Sequence, residues 1–533
     1  MAQGKLRKDA GMVGLLFAGV SSMIGSGWLF GPMHAAKDAG PLSIGSWAIA
    51  ALVVGLIALV YAELGPMFTR SGGLMYMSVI THGRLVGRIW SWILFLAYVS
   101  IAPVEAMAVV TYANSYLPGM VHPATGLLTT FGVVIAVVVL GLLTALNFLV
   151  LRLVLMLNTV ATWIKVCAPI GTIIVLLIFS HHPENLSVPA HATGNVMNMF
   201  TAISTAGVFF SLFGFTQAIQ LAGETADPAR NIPIAVIGTI IIGAIIFVLV
   251  QYAFVAAVPP DVLARDGWTG LNFSGISGPM AGLAITIGAS FWAYALFADA
   301  IISPAACGYI WTTATARMLM ASSDEKFASP GMQQINRYGV PWKALIVSFL
   351  IGLLFFFPFP SWQKLVDYAS SATVLSYGLG CIVLLQLRRV MPDVKRPFRL
   401  WRAWAIVPLA FIASNFVLFW AGFSVMSFLF AILLAGLALY LIFNSGEGAR
   451  DWQHALWLIP YFGGMWLLSW IGPAEMGGRG VINIYWDMLA VAVLSLIILY
   501  IALNTSVSAE RSAQYYVRVT QENGAEPVAP GSI

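Results

Sequence analysis

The sequence predicts an all-α polytopic membrane protein with about fourteen transmembrane helices. Of its 533 residues, 60% are hydrophobic and 9% are charged, whereas soluble domains carry about 25% charged residues. The mean hydropathy is +0.89. Apolar runs long enough to cross a bilayer are expected at 9–39, 41–65, 86–117, 124–150, 153–180, 197–222, 232–258, 280–316, 341–358, 364–387, 403–422, 424–443, 454–472 and 482–503.

The positions of the basic residues support this topology. If the N-terminus is cytoplasmic, 21 of the 26 Lys and Arg residues fall in inner segments and only four in outer segments. This asymmetry follows the positive-inside rule, and it places both termini in the cytoplasm. The first run is too long for a cleaved signal peptide, so we expect it to remain as the first span.

The order of the spans suggests two related halves and an extension. We expect a cytoplasmic N-terminus at 1–8, a first five-helix repeat at 9–180 and a second at 197–391. Four additional transmembrane helices follow at 392–503, and a cytoplasmic tail at 504–533. Because five is odd, the second set crosses the membrane in the opposite orientation to the first, which is the arrangement of a 5+5 inverted repeat.

Gly25-Ser26-Gly27 lies in the middle of the first run. Glycine is a poor helix former, so this tripeptide favours a break at membrane depth. A half-helix that starts there directs unpaired N–H groups and the positive end of its dipole into the membrane centre, where a carboxylate could bind. The alternative interpretation is close helix packing by small residues.

A second break is expected in the sixth span, at Ser211-Leu212-Phe213-Gly214-Phe215. One glycine among aromatic residues is a weak signal for unwinding. The position is a stronger signal, because the sixth span opens the second five-helix set as the first span opens the first. Broken helices at matching positions of two halves indicate the substrate site of an inverted-repeat transporter.

Three ionisable residues are expected near mid-membrane: Lys165 in the fifth span, Glu105 in the third and Asp299 in the eighth. A charge in hydrocarbon costs several kcal/mol, so each must face a cavity or a partner. Lys165 is the only basic residue expected deep within the membrane, and burial lets a lysine exchange a proton near neutral pH. The alternative is a permanent salt bridge from Lys165 to Glu105 or Asp299.

Other acidic residues lie at the edges of spans. Glu63 and Glu224 end the second and sixth spans on the cytoplasmic side, where we expect pairing with loop arginines. Asp367 and Asp487 lie near the outer ends of the tenth and fourteenth spans, and we expect them to be solvated.

The spans contain no pattern typical of an enzyme. They hold no nucleophile–base pair, no phosphate-binding loop and no His/Cys cluster with metal-ligand spacing, so no metal site is predicted. The net charge of +5 does not indicate nucleic-acid binding, because the basic residues lie in loops. A channel or a nutrient sensor remains a distant alternative to a transporter.

Several segments together resemble the amino acid–polyamine–organocation permeases. Gly25 to Phe30 is similar to their first helix, and Tyr61 to Gly65 is similar to the end of their second. Their loops after helices 2 and 6 are matched by Arg70-Ser71-Gly72-Gly73, Gly223-Glu224, Asp227-Pro228 and Arg230-Asn231-Ile232-Pro233. Together with Ala300 to Pro304 and the two spans beyond the usual twelve, these segments look most like bacterial aspartate–proton symporters.

The resemblance implies the inverted-repeat fold of the sodium-coupled leucine transporter, with the substrate between helices 1 and 6 and against helices 3, 8 and 10. Gly25, Ser26 and Gly27 would hold the substrate carboxylate. Carbonyls near Phe210, Ser211 and Phe213, in the unwound segment that includes Gly214, would hold the ammonium group. In proton-coupled members a lysine in helix 5 replaces a sodium ion, and Lys165 matches that position.

The sequence therefore predicts a proton-coupled importer of an amino acid, such as aspartate or another acidic amino acid, in the bacterial inner membrane. Its expected partners are the substrate and the lipid bilayer, and its only coupling ion is the proton, with no other cofactor. An acidic side chain calls for donors, yet no arginine lies near the middle of the predicted core spans. Either Glu105 and Asp299 are protonated when substrate binds, or the protein exchanges a neutral or cationic amino acid or amine.

Overall fold

The computed structural model describes residues 11–68, 73–123, 125–148, 151–190, 196–273, 278–336, 338–357, 359–443 and 451–521. Helices dominate these residues, as predicted. The α-helices are α1 Met12–Met23, α2 Gly27–Ala39, α3 Ser43–Leu64, α4 Gly73–Ala113, α5 Thr130–Leu146, α6 Leu151–Phe179, α7 Val196–Thr205, α8 Gln217–Gln220, α9 Pro228–Ala257, α10 Pro260–Asp266, α11 Pro279–Thr286, α12 Ser290–Asp324, α13 Trp342–Leu354, α14 Trp362–Val390, α15 Ala403–Trp420, α16 Phe423–Phe443, α17 Leu458–Ile471, α18 Ile484–Asn504 and α19 Ala509–Gln521.

Many of these helices are suited to crossing a membrane. Within the described ranges, eight helical segments are long and apolar enough to span it, and the bent pair of α7 with Phe210–Gln220 would make a ninth. Shorter apolar helices occupy other predicted spans, at Met12–Met23, Thr130–Leu146, Trp342–Leu354 and Phe423–Ala438. The protein is therefore an integral membrane protein, and the exact number of fourteen spans stays a prediction.

The first half is broken where the sequence predicts. Helix α1 ends at Met23 and α2 begins at Gly27, so the first break comprises Ile24 to Ser26. The break lets the chain expose the carbonyl end of one half-helix and the N–H end of the next at the same depth.

The second break lies about one turn earlier than predicted. Helix α7 ends at Thr205 and a 3-10 helix covers Phe210–Thr216, so the second break comprises Ala206 to Phe209, and the axis bends there by 52°. Gly207 has φ +80°, a left-handed conformation that glycine adopts without a steric penalty. The expected Ser211–Phe215 segment forms the 3-10 helix that follows the break.

The two breaks meet within a buried frame. The most apolar stretch of α14 is completely buried, and that of α4 is 94% buried. These two helices therefore lie at the centre of the molecule. Helix α1 packs against the 3-10 helix, and α12 packs against α4. Residues on α4, α12 and α14 are thus placed around both breaks.

Glu63, at the end of α3, makes the ion pair that its cytoplasmic position predicts. The side chain is fully buried and accepts two hydrogen bonds from Arg388, from Nε at 2.9 Å and from Nη2 at 2.6 Å. It also accepts the Leu400 N–H at 2.7 Å. Glu63 therefore joins the C-terminal ends of α3 and α14. The side chain of Glu224 lies outside the described residues.

Asp487 differs from the prediction of a solvated acid. Its side chain is fully buried, and neither carboxylate oxygen has a hydrogen-bond partner among the described residues. The reason is packing, because α18 packs against α15 and α17 and Asp487 lies on a buried part of its surface. Asp367 is half-buried and accepts a long hydrogen bond from Gln363, at 3.4 Å.

The C-terminal tail contains a docked helix, α19, which polarity alone did not predict. Arg511 donates to both carboxylate oxygens of Asp451, at 2.8 and 3.0 Å, and Arg518 donates to Glu325 at 2.8 Å. Asp451 also accepts the Arg84 N–H at 2.9 Å, where α4 is kinked. Helix α19 is therefore tied to α4 and to the end of α12.

We expect Asp451→Asn to loosen α19 by about 1.5–3 kcal/mol, because hydrogen bonds to a charged group contribute about that much. Trypsin should then cleave the tail near Arg511 faster, whereas Glu510→Gln, an exposed change in the same helix, should leave the cleavage rate unaltered.

Burial alone would raise the pKa of Asp451, but the hydrogen bonds from Arg511 and the Arg84 N–H hold it below the usual value. This stabilisation is present above about pH 4 and is lost as the pH falls through the lowered pKa. Equal cleavage of wild type and Asp451→Asn would contradict this role.

Candidate functional site

Lys165 closes the carbonyl end of the first break. Its buried Nζ donates a hydrogen bond to the Ser21 carbonyl and lies 3.4 Å from Ser21 Oγ. The C-terminal end of a helix carries partial negative charge, so an ammonium group is favoured there. In the part of the chain that the structure describes, Lys165 makes no ion pair within 4.0 Å of Glu105 or Asp299. Its partner is the helix end rather than a permanent salt bridge.

The other terminal carbonyls of α1 are also satisfied. The Ser22 carbonyl accepts hydrogen bonds from Cys307 Sγ and Trp311 Nε1, both on α12 and both at 3.2 Å. The Val20 carbonyl accepts the N–H of Ile24 at 2.9 Å. The end of α1 is therefore held by Lys165 from one side and by α12 from the other.

Glu105 lies at the N–H end of the first break. Its Oε2 accepts the backbone N–H of Ser26 at 2.9 Å, and its Oε1 has no hydrogen-bond partner among the described residues. The N–H groups of Gly27 and Trp28 have no backbone acceptor in the same ranges. A carboxylate therefore already occupies part of the position that the sequence predicts for a substrate carboxylate.

Both glycines of the first break allow close approach. A Cβ at Gly25 would collide with the Glu105 carboxylate and would lie 2.8 Å from Cys307 Sγ. A Cβ at Gly27 would collide with the Ser211 hydroxyl and lie 3.0 Å from its Cβ. The two glycines thus allow close packing and also form part of a polar site, because the space beside them is occupied by Glu105, Cys307 and Ser211.

The 3-10 helix after the second break contains four of the predicted site residues and packs Ser211 against Gly27 of the first break. Ser211 Oγ donates to the Gly207 carbonyl at 2.8 Å. Phe210 and Phe213 are buried with their rings 5.4 Å apart, edge to face. Gly214 packs directly against α1, where a Cβ would collide with the Gly19 carbonyl. The geometry of Gly214 therefore serves helix packing.

Asp299 contributes a second buried carboxylate, from α12. Its Oδ1 accepts a hydrogen bond from Ser303 at 2.6 Å, whereas Oδ2 has no partner within the described ranges. The Trp28 indole N–H lies beside the Asp299 carboxylate and interacts with it, although neither Nε1 nor Oδ2 has a partner with hydrogen-bond geometry in those ranges. Buried polar groups are nearly always hydrogen-bonded, so these unpaired atoms indicate a place for a polar ligand group.

Sequence reasoning missed Trp362, the first residue of α14. Its Nε1 donates to Ser26 Oγ at 2.8 Å, in a fully buried contact. A tryptophan at the start of a span is normally interpreted as an interfacial residue, so its sequence position carried no signal for a site.

The discontinuous helices and the buried frame around them define a membrane protein of the transporter type with an inverted-repeat core. The model of the family described as "Amino acid permease" matches residues 11–425, so the chain belongs to this family and is not an enzyme. It is 36% identical to the glutamate/serine transporter AimA of Bacillus subtilis, over 95% of both chains. It is 34% identical to the aspartate-proton symporter of the same organism, over 93% of this chain and 96% of the relative.

A solved structure is similar in fold. A mutant of the manganese transporter from Eremococcus coleocola aligns with a TM-score of 0.52, over 94% of this chain and 97% of that one. Its sequence identity is 13%, so the likeness concerns the fold alone. It confirms the all-α, inverted-repeat fold class that the sequence predicts.

Proposed function

We propose that this protein is a proton-coupled symporter that imports an acidic amino acid such as aspartate. The observation that carries the proposal is the contact of Glu105 with the Ser26 N–H, together with Lys165 on the opposite side of the same break. The first break thus places two titratable side chains, Glu105 and Lys165, next to a helix N-terminus that can bind a carboxylate.

The substrate backbone fits between the two breaks. Its carboxylate would accept hydrogen bonds from the N–H groups of Ser26, Gly27 and Trp28 at the start of α2. Its ammonium group would donate to carbonyls of the second half near Phe210, Ser211 and Phe213. These assignments follow from the polarity of the two helix ends, since N–H groups attract an anion and carbonyls a cation.

A proton is needed because Glu105 already accepts the Ser26 N–H. Two carboxylates about 4 Å apart repel by about 4 kcal/mol at an effective dielectric constant of about 20. Protonation of Glu105 removes this repulsion and frees the Ser26 N–H for the substrate. Substrate and proton are then favoured to bind together, which is the thermodynamic requirement for symport.

An acidic side chain would use Trp28 and Asp299. The Trp28 Nε1–H lies beside the Asp299 carboxylate without ideal hydrogen-bond geometry, and a protonated Asp299 would supply a second donor. This pairing compensates for the lack of an arginine in the core. The similarity to relatives named for aspartate and for glutamate and serine also supports a small polar or acidic substrate.

The unpaired Oδ2 of Asp299 also favours a second candidate, an exchanger of a neutral or cationic amino acid. Uptake into proteoliposomes separates the two. Labelled aspartate, glutamate, serine and arginine are each offered with and without an inward proton gradient. Concentrative uptake of aspartate or glutamate that stops with a protonophore supports the proposal. Uptake of arginine or serine that needs internal amino acid and ignores the gradient contradicts it.

We expect Glu105→Gln to retain aspartate binding within about tenfold, because glutamine keeps the size of the side chain but carries no charge that must be neutralised. Transport by the wild type should rise as external pH falls, and this dependence should weaken in the variant. Initial uptake rates between pH 5 and pH 8 measure the effect. The matched control is Glu184→Gln, at an exposed site in an outer loop. A wild-type pH profile in Glu105→Gln would exclude this residue from coupling.

A further inference from the structure

Trp362 touches both broken segments of the core. Its Nε1–H donates to Ser26 Oγ in the first break at 2.8 Å. Its ring reaches the second break at Gly207, where a Cβ would lie 2.7 Å from the ring. Gly207 has φ +80°, so glycine at this position satisfies the backbone and leaves room for the indole.

The same ring lies in an aromatic stack on α2. Trp362 stacks on Phe30 with ring centroids 4.7 Å apart and on His34 with centroids 5.6 Å apart. Phe210 meets the indole edge-on at 6.4 Å, and Tyr112 meets Phe30 edge-on at 5.2 Å. Trp362, Phe30, Phe210 and Tyr112 are each at most 6% exposed.

The stack lies on the outer side of the carboxylate-binding position. Helix α2 runs outward from Ser26 through Phe30 and His34, and α14 begins on the outer side with Trp362, in the topology that the basic residues predict. On this side of Ser26 the indole thus bridges α2, α14 and the second break.

We propose that Trp362 is the outer gate of the substrate site and a positioning residue for Ser26. In the closed state its ring blocks the outer route, and its N–H orients the Ser26 hydroxyl beside the half-helix N-terminus. Opening toward the outside breaks this hydrogen bond, so the geometry of the carboxylate-binding position and closure of the gate change together. The inference rests on the proposed placement of the substrate at Ser26.

Cys307 provides a native reporter of this gate. It is buried beside Gly25, so a reagent reaches it from outside only when the outer route is open. The test uses the full chain with Cys167→Ser and Cys381→Ser, which leaves Cys307 as the only thiol. Intact cells are treated with a membrane-impermeant methanethiosulfonate. The rate of labelling is measured without aspartate and with aspartate at about ten times its apparent Kd.

Trp362→Phe keeps an aromatic ring but removes the N–H, so labelling should be about threefold to tenfold faster, the equivalent of one neutral hydrogen bond. Trp362→Ala removes the ring as well and should label faster still. Trp486→Phe, at an exposed site on α18, should label at the wild-type rate. Size-exclusion profiles and thermal midpoints identify any variant that does not fold. If Trp362→Ala does not fold, the more conservative Trp362→Phe still tests the gate.

Wild-type labelling rates in both folded Trp362 variants would overturn the gate. The labelling rate does not depend on which amino acid is transported or on proton coupling. Faster labelling without protection or transport of aspartate would therefore retain the gate and reject the proposed function. Unchanged labelling together with proton-driven aspartate uptake would reject the gate and retain the proposed function.

Discussion

Lys165→Ala should abolish proton-driven accumulation of substrate while it spares part of substrate binding. The change removes the titratable ammonium group that holds the Ser21 carbonyl at the end of α1. One proton that moves down a pH gradient of about one unit supplies about 1.4 kcal/mol, which supports about tenfold accumulation of a co-transported substrate. An uncoupled variant loses this factor and only equilibrates substrate across the membrane.

Lys165→Arg separates the charge from the titration. Arginine stays protonated at any physiological pH, so this variant should also fail to couple although it keeps a cation at the helix end. Lys395→Ala, in an exposed loop, is the matched control and should accumulate substrate as the wild type does. The measurement is the ratio of internal to external labelled aspartate at steady state. Full accumulation in Lys165→Ala would remove this residue from the coupling mechanism.

Gly27→Val should reduce substrate affinity by about a hundredfold or more. A Cβ at this position collides with the Ser211 hydroxyl, so the branched side chain pushes apart the two broken segments that form the site. Gly25→Val should have a comparable effect through Glu105 and Cys307. Ser26→Ala should cost less, about threefold to tenfold, because the backbone N–H groups remain and only the hydroxyl contact with Trp362 is lost.

Thermal-shift titration with aspartate measures these affinities. Gly463→Val is the matched control, because a Cβ at Gly463 meets nothing within 4 Å in α17. Its affinity should equal that of the wild type. If Gly25→Val or Gly27→Val is folded and binds substrate normally, the first break is not the carboxylate-binding position.

The local chemistry of the first break could be predicted from the sequence, because it depends on residues that are neighbours in the chain. Gly25-Ser26-Gly27 lowers helix stability wherever it occurs, and the structure breaks the helix at Ile24 to Ser26. The burial of Lys165, Glu105 and Asp299 also followed from their positions in apolar runs. The second break was found by its position in the repeat but misplaced by about a turn, since the left-handed conformation of Gly207 leaves no mark in the sequence.

The contacts across the site could not be predicted, because they join residues far apart in the chain. Glu105 reaches the N–H of Ser26 over 79 positions, and Trp362 reaches its hydroxyl over 336 positions. Asp487 was expected to face water because it is polar, and its polarity does not show which helices pack around it. In each case the missing information is which faces of the helices meet, and apolar runs that are hydrophobic on every side do not encode this.

Co-transport of protons tests the central claim most directly. Purified protein is reconstituted in liposomes that enclose a pH-sensitive dye, with equal pH on both sides and no other gradient. The account predicts that adding aspartate outside acidifies the lumen, in proportion to the aspartate taken up, and that Lys165→Ala abolishes the acidification. Aspartate uptake by the wild type without any change in luminal pH would contradict proton-coupled symport.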